Sequence, residues 1–117
     1  MVQPVEVLED EGGHRTLVFY SLGNFVSAQS RPDNLVGLMP IIPIEKAPDG
    51  KISVGDPLCR AVVTHYDSGM RNLSLYPLEE YSPSLADGHG AYGSFSLDGI
   101  RTLLKDTISN SFIVPGR

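Results

Sequence analysis

No tryptophan occurs in the 117 residues, and there is a single cysteine. One cysteine cannot close an internal disulfide, so Cys59 sets no covalent framework and is expected to be a small buried apolar side chain. Positive charge is also scarce, with nine Lys and Arg against fourteen Asp and Glu and a formal net charge of −5. Gripping a phosphate backbone takes clustered Lys and Arg, and no basic stripe is present, which argues against nucleic acid as a partner. Long apolar runs are missing as well. Nothing approaches the roughly 18 apolar residues of a spanning helix. Met1 is not followed by the basic and apolar regions of a signal peptide, so any membrane anchor or targeting signal is expected outside this chain.

What is present is ordinary globular material. Hydrophobic residues make up 41% and charged residues 20%, which places the chain outside the disordered class. The length allows one domain at most. Twelve glycines and nine prolines exceed the roughly 14 residues that average usage would supply, and the surplus predicts many turns.

Val5-Glu6-Val7-Leu8, the charged Gly-rich stretch Glu9 to His14, and Thr16-Leu17-Val18-Phe19-Tyr20 predict a hairpin. Leu35 to Ile44 is apolar but carries Pro40 and Pro43. A proline cannot donate to a sheet ladder, so this strand is expected at an edge or with a bulge. The turn Ala47-Pro48-Asp49-Gly50 with Lys51 to Val54 as the return strand completes a second hairpin. Leu58 to Tyr66 alternates on two apolar faces and is expected to be covered on at least one, with Leu73 to Leu78 as its antiparallel partner across the turn Asp67-Ser68-Gly69. Pro83, Gly88, Gly90 and Gly93 predict a long loop over 79–96. Ile100, Leu103, Leu104, Thr107 and Ile108 then predict an amphipathic helix of about three turns, with Ser96 or Asp98 as its N-cap.

Candidate chemistry is sparse. His14, His65 and His89 show no ligand spacing. His14 is expected in solvent in a hairpin loop, and His65 partly buried in its strand with a satisfied ring nitrogen. In Asp87-Gly88-His89-Gly90 the glycines would let the backbone approach a ligand closely, although a flexible loop explains the stretch equally well. Ser21, Asp87 and His89 supply the residue types of a hydrolase, but no Gly-x-Ser-x-Gly elbow or phosphate loop accompanies them. Asn72-Leu73-Ser74 fits the glycosylation pattern, which matters only in a glycosylating host. Tyr20-Ser21-Leu22-Gly23-Asn24-Phe25 differs in kind: it follows a strand, and its Gly-Asn pair tolerates positive φ. It could turn sharply and present Ser21 and Asn24 at a strand end, or serve as a structural turn.

Gln3-Pro4-Val5-Glu6, a charged loop, and then Leu17-Val18-Phe19-Tyr20-Ser21-Leu22-Gly23-Asn24-Phe25-Val26 resemble the end of the bacterial capsule-synthesis protein family of the poly-gamma-glutamate type (CapA-like), and Leu75-Tyr76-Pro77-Leu78 looks like that family's ending. The resemblance covers about residues 1–80 and leaves the loop and helix of 81–117 unassigned. It implies a fold similar to calcineurin-like metallophosphoesterases, in which two sheets pack face to face, and a place in the cell envelope or on the extracytoplasmic side of a bacterial membrane. In the family a Gly-His-x-His motif stands directly before the segment matching Met1-Val2-Gln3-Pro4, with further ligands upstream.

The resemblance therefore implies that this chain holds no metal or other cofactor and no catalytic residue of its own. A divalent metal would belong to the full-length parent. Ser21, Gly23 and Asn24 are at most substrate-lining. The expected architecture is mainly β (α+β), with antiparallel hairpins forming a sheet or partial β-sandwich and one C-terminal helix. The expected partners are the remainder of the parent domain or a second copy. An autonomous β-rich binding domain engaging a partner through an edge strand is the alternative.

Overall fold

The computed structural model describes residues 1–91 and 95–113. The order of elements opens with β1 (Val5–Glu9) and β2 (Arg15–Phe19), which form the expected hairpin. Its loop is closed from within, because Asp10 Oδ1 accepts from the backbone N–H of Gly12 and of His14, each at 2.9 Å. His14 is exposed there.

The centre of the molecule is a three-stranded antiparallel sheet. Its middle strand is β6 (Leu58–Asp67), flanked by β3 (Val36–Ile41) and β7 (Arg71–Pro77). β3 is an edge strand, as its proline requires. Leu38 N–H points outward to Leu22 C=O at 2.7 Å, and Pro40, two residues on, turns its donorless nitrogen to the same outer side. The two faces of β6 are both covered. On one face Cys59, Ala61 and Val63 join Val36 and Leu38 in the hydrophobic core. On the other, Val62, Thr64 and Tyr66 are buried under the segment after Asn24, with Thr64 Oγ1 donating to Phe25 C=O and Tyr66 Oη to Gln29 C=O.

The second hairpin departs from expectation. Leu35–Ile44 is not one strand returning through Lys51–Val54. Pro43 divides it, so that β3 pairs with β6 while β4 (Ile44–Lys46) pairs with β5 (Ile52–Val54) as a separate ribbon. The turn Ala47–Gly50 does close that ribbon, with Gly50 N–H bonded to Ala47 C=O at 2.9 Å. Residues 41–54 are exposed throughout. The chain measures 55 × 26 × 25 Å with a radius of gyration of 16.6 Å, above the roughly 13 Å of a compact chain of this length, in keeping with a projecting ribbon.

Helices cover the core face of the sheet. The interval 79–96 is not all loop: α1 (Pro83–Asp87) forms there, capped by Ser82 Oγ, which accepts from Leu85 N–H at 3.2 Å. Pro83 marks the start of this helix, because at the first helical position the missing N–H costs nothing. Gly93 lies outside the described residues. α2 (Leu97–Thr107) has the expected position and cap, with Ser96 Oγ accepting from Gly99 N–H at 3.0 Å. Asp98 and Lys105 sit at the ends that the helix dipole favours. Leu97, Ile100 and Leu104, and Ile108 just beyond, are buried against Cys59, Ala61, Val63 and Tyr81. Each such side chain stabilises the fold by roughly 1.5–3 kcal/mol. The residues after 80 therefore share one core with those before it. Cys59 is buried as expected, and burial pushes its thiol pKa up. The fold is mainly β, with 39% strand against 22% helix, and among the described residues no helix is long and apolar enough to cross a membrane.

Candidate functional site

Two places carry residues singled out in the sequence: the turn after β2 and the far end of β6. The turn continues the first hairpin. Val2 bridges Leu22 in the same register as β1 and β2, and Gln3 N–H bonds to Ser21 C=O at 3.1 Å. The chain then meets β3 at an isolated bridge between Gly23 and Gly37. Both glycines are needed for this approach. A Cβ on Gly23, where φ is +71°, would lie 2.6 Å from Val36 carbonyl oxygen, and one on Gly37 would run into the Asn24 carbonyl.

The polar side chains of the turn bond backbone groups of this chain, one within the turn and one beyond it. Ser21 Oγ accepts from Gly23 N–H at 3.3 Å, and Asn24 Nδ2 donates to Asn34 C=O at 2.8 Å, tying down the 3-10 turn Pro32–Asn34. Ser21, Gly23 and Asn24 are thus brought together, half-buried, at the seam between hairpin and sheet. Met1, Tyr20, Leu22, Phe25 and Val26 around this seam are exposed at 54%, 54%, 36%, 57% and 53%. These are large apolar side chains left open to solvent around the seam.

At the end of β6 the fold assembles a cluster that sequence spacing missed. His65 and His89 approach with ring centroids 4.9 Å apart. His89 also lies 4.5 Å from Tyr66 and 4.2 Å from Phe95, and Tyr76 and Tyr81 close the far side around His65. β3 begins at Val36, and on that side Thr64 N–H still reaches Leu35 C=O at 2.8 Å, but the Thr64 carbonyl and Tyr66 beyond it have no partner strand, so residues 89–90 take the place. Gly90 N–H donates to Tyr66 C=O at 2.8 Å, and His89 Nε2 bonds Thr64 C=O at 2.8 Å. Gly90 must be glycine, since a Cβ would overlap the Asp67 carbonyl. The glycines flanking His89 were the available signal. They do allow close backbone approach, but to β6 rather than to a ligand.

The tautomers follow from the partners. Ala91 N–H donates to His89 Nδ1 at 2.9 Å, so Nδ1 is the acceptor and Nε2 carries the proton that goes to Thr64 C=O. Burial lowers the His89 pKa, opposed by the Thr64 carbonyl, with His65 lowering it further and Asp67 raising it. Tyr81 Oη lies 2.7 Å from His65 Nδ1, while His65 Nε2 faces Asp67 Oδ1 at 3.4 Å. These contacts fit the phenol donating inward and the imidazole donating outward. Burial raises the Tyr81 pKa, with Tyr76 adding to it. Asp67 is held below the usual carboxylate range chiefly by the hydrogen bond from Asn72 Nδ2 at 2.9 Å.

With both its ring nitrogens bonded to the backbone, His89 has no lone pair free to act as a base. Asp87 ends α1 in solvent, and among the described residues no hydrogen bond joins Ser21 to His89 or Asp87. Among the described residues no group of three or more His, Cys, Asp or Glu converges in metal-binding geometry. No family model, no curated protein and no solved structure matches the chain.

Proposed function

We propose that this chain serves as the C-terminal β-rich part of a capsule-synthesis-type protein of the poly-gamma-glutamate class, acting at the bacterial cell envelope. The metal-dependent phosphoester chemistry of such a protein resides in residues that the family carries before the segment matching Met1-Val2-Gln3-Pro4. The observation that carries the reading is the Ser-Leu-Gly-Asn-Phe turn. It follows an apolar strand, closes on β3 through Gly23 and Gly37, and leaves Leu22, Phe25 and Val26 open beside Met1. In this reading the open side chains seat the sheet that bears the metal, and Ser21 and Asn24 stand at the rim of the joint site. The chain alone supplies a wall and no catalyst.

The test is metal content with and without a preceding segment that carries Gly-His-x-His. The chain alone is expected to contain no stoichiometric metal by elemental analysis, and the joined protein to take up a divalent metal. Tight metal in the isolated chain, or none in the joined protein, overturns the reading.

A second reading, self-association through the exposed face of a ribbon, is favoured by β4–β5. Register puts Ile44, Ile52 and Val54, exposed at 67%, 66% and 49%, on one face of it together with Lys46 opposite Ile52, and Glu45 and Ser53 on the other. Met39, Ile41 and Leu58 at the adjoining end of the sheet are exposed at 36%, 49% and 45%. An isolated two-stranded ribbon is marginal in water, and a second copy would cover its apolar face. Sedimentation velocity of the wild type and of Ile44→Lys/Ile52→Lys decides it. A concentration-dependent dimer lost in the variant supports this reading, and a wild-type monomer at all concentrations removes it.

A further inference from the structure

We propose that His89 is a proton-sensitive latch that holds residues 88–91 against the free side of β6 and releases them when its ring takes up a second proton. Hydrogen-bond polarity carries the latch, independently of the capsule-type reading. In the closed loop one ring nitrogen donates to Thr64 C=O and the other accepts from Ala91 N–H. A proton added at Nδ1 would set N–H against N–H, so the Ala91 contact and a doubly protonated ring exclude each other.

The surroundings sharpen the effect. From β6 the ring meets His65 and Tyr66, with the Asp67 carboxylate beyond His65; from the segment just before α2 it meets Phe95. Tyr81 and Tyr76 stack on the far side of His65. Asp67 favours the added proton, while burial and the neighbouring His65 oppose it. Asp67 points into solvent and is already bonded to Asn72, so the balance lies with the neutral ring. When the ring leaves, Gly90 N–H parts from Tyr66 C=O. The carbonyls of Thr64 and Tyr66 are then open at a strand edge, the kind of edge that accepts an added strand.

The size of the response follows from linkage. If the closed loop admits no second proton and the open loop titrates like an ordinary histidine near 6.5, the open fraction rises roughly 30-fold between pH 7.5 and 5.0. The experiment is amide hydrogen exchange by NMR on the full chain, corrected for intrinsic exchange. Protection of Gly90 and Ala91 is expected to fall by that factor, while the amides pairing β6 with β7 keep theirs. In His89→Asn the side-chain oxygen can accept the Ala91 N–H but does not titrate, so the pH dependence should vanish. In His65→Asn it should persist.

Flat protection of Gly90 and Ala91 in the wild type overturns the proposal, as does pH dependence that survives in His89→Asn. Should that variant fail to fold, the ring 15N shifts of the wild type decide alone. A proton on Nδ1 at pH 7.5 is incompatible with the latch, and a proton on Nε2 that is joined by a second as the loop opens supports it.

Discussion

Replacing Gly23 by alanine measures how firmly the Ser-Leu-Gly-Asn turn is fixed to the sheet. Two costs add. The backbone there has φ of +71°, and a left-handed conformation costs a non-glycine residue roughly 1–2 kcal/mol. The new methyl would also stand 2.6 Å from Val36 carbonyl oxygen and 2.8 Å from Val2 Cγ2. A valine methyl can swing aside, but the carbonyl belongs to the backbone of β3 itself, which is paired to β6, and cannot. Relief means parting the turn from β3, which breaks the bond from Leu38 N–H to Leu22 C=O at a net cost of about 1 kcal/mol and loosens the buried seat of Val2. The expected total is roughly 3–5 kcal/mol, a large share of the 5–15 kcal/mol that holds a domain together.

Gly50→Ala is the matched control. Its φ is +89°, yet a Cβ there meets nothing within 4 Å, so only the conformational cost of roughly 1–2 kcal/mol applies. Urea unfolding followed by circular dichroism gives both values, with unchanged m-values confirming that stability alone has moved. Equal losses at the two glycines, or a smaller loss at Gly23, would refute the claim that the turn and β3 are in backbone contact.

Two further outcomes are expected. Leu104→Ala removes a buried contact between α2 and the sheet and should cost roughly 2–5 kcal/mol in urea unfolding, whereas Thr102→Ala on the exposed side of the same helix should be neutral or slightly stabilising. Stability should fall at both ends of the pH scale. His89 has a folded pKa below its ordinary 6.5, so its contribution is present above 6.5 and is lost as pH falls toward the folded value. Tyr81 has a folded pKa above its ordinary 10.0, so its contribution is present below 10 and is lost as pH rises past it. Thermal unfolding from pH 4.5 to 11 checks both, and a profile rising below pH 6.5 would contradict the neutral His89.

The first hairpin, the pairing of the long two-faced strand with Leu73–Leu78, and the capped C-terminal helix were legible because each is written locally. Alternation gave β6 its two faces, Asp49-Gly50 its turn, and Ser96 with the spacing of Ile100, Leu104 and Ile108 its helix. What was not legible depends on pairing at a distance. Pro43 reads as a bend in one strand, and only the competition of β6 for residues 36–41 shows that it divides two sheets. Pro83 reads as a breaker until Ser82 is seen capping the helix it starts. His65 and His89 share no sequence spacing, because the shortness of β3 at Val36 is what leaves the place beside β6 that residues 89–90 fill. After β2, Gly23 takes the positive φ its type allows while Asn24 does not, and that Gly23 meets Gly37 is a tertiary fact.

The position of β6 also imposes an order of assembly. It is reached by β3 across the whole β4–β5 ribbon, by residues 89–90 across α1, and by Ile113 through a single parallel bridge to Cys59. β7 alone joins it through a tight turn, at Ser68-Gly69-Met70. Closing a short loop costs less entropy than closing a long one, so the β6–β7 hairpin is expected to form first, with the other partners condensing on it. Substitutions such as Leu75→Ala should then slow folding, while Ile108→Ala should mainly speed unfolding. During synthesis the same strand emerges with its later partners still to come, and its open sides are the part of the nascent chain that most needs shielding.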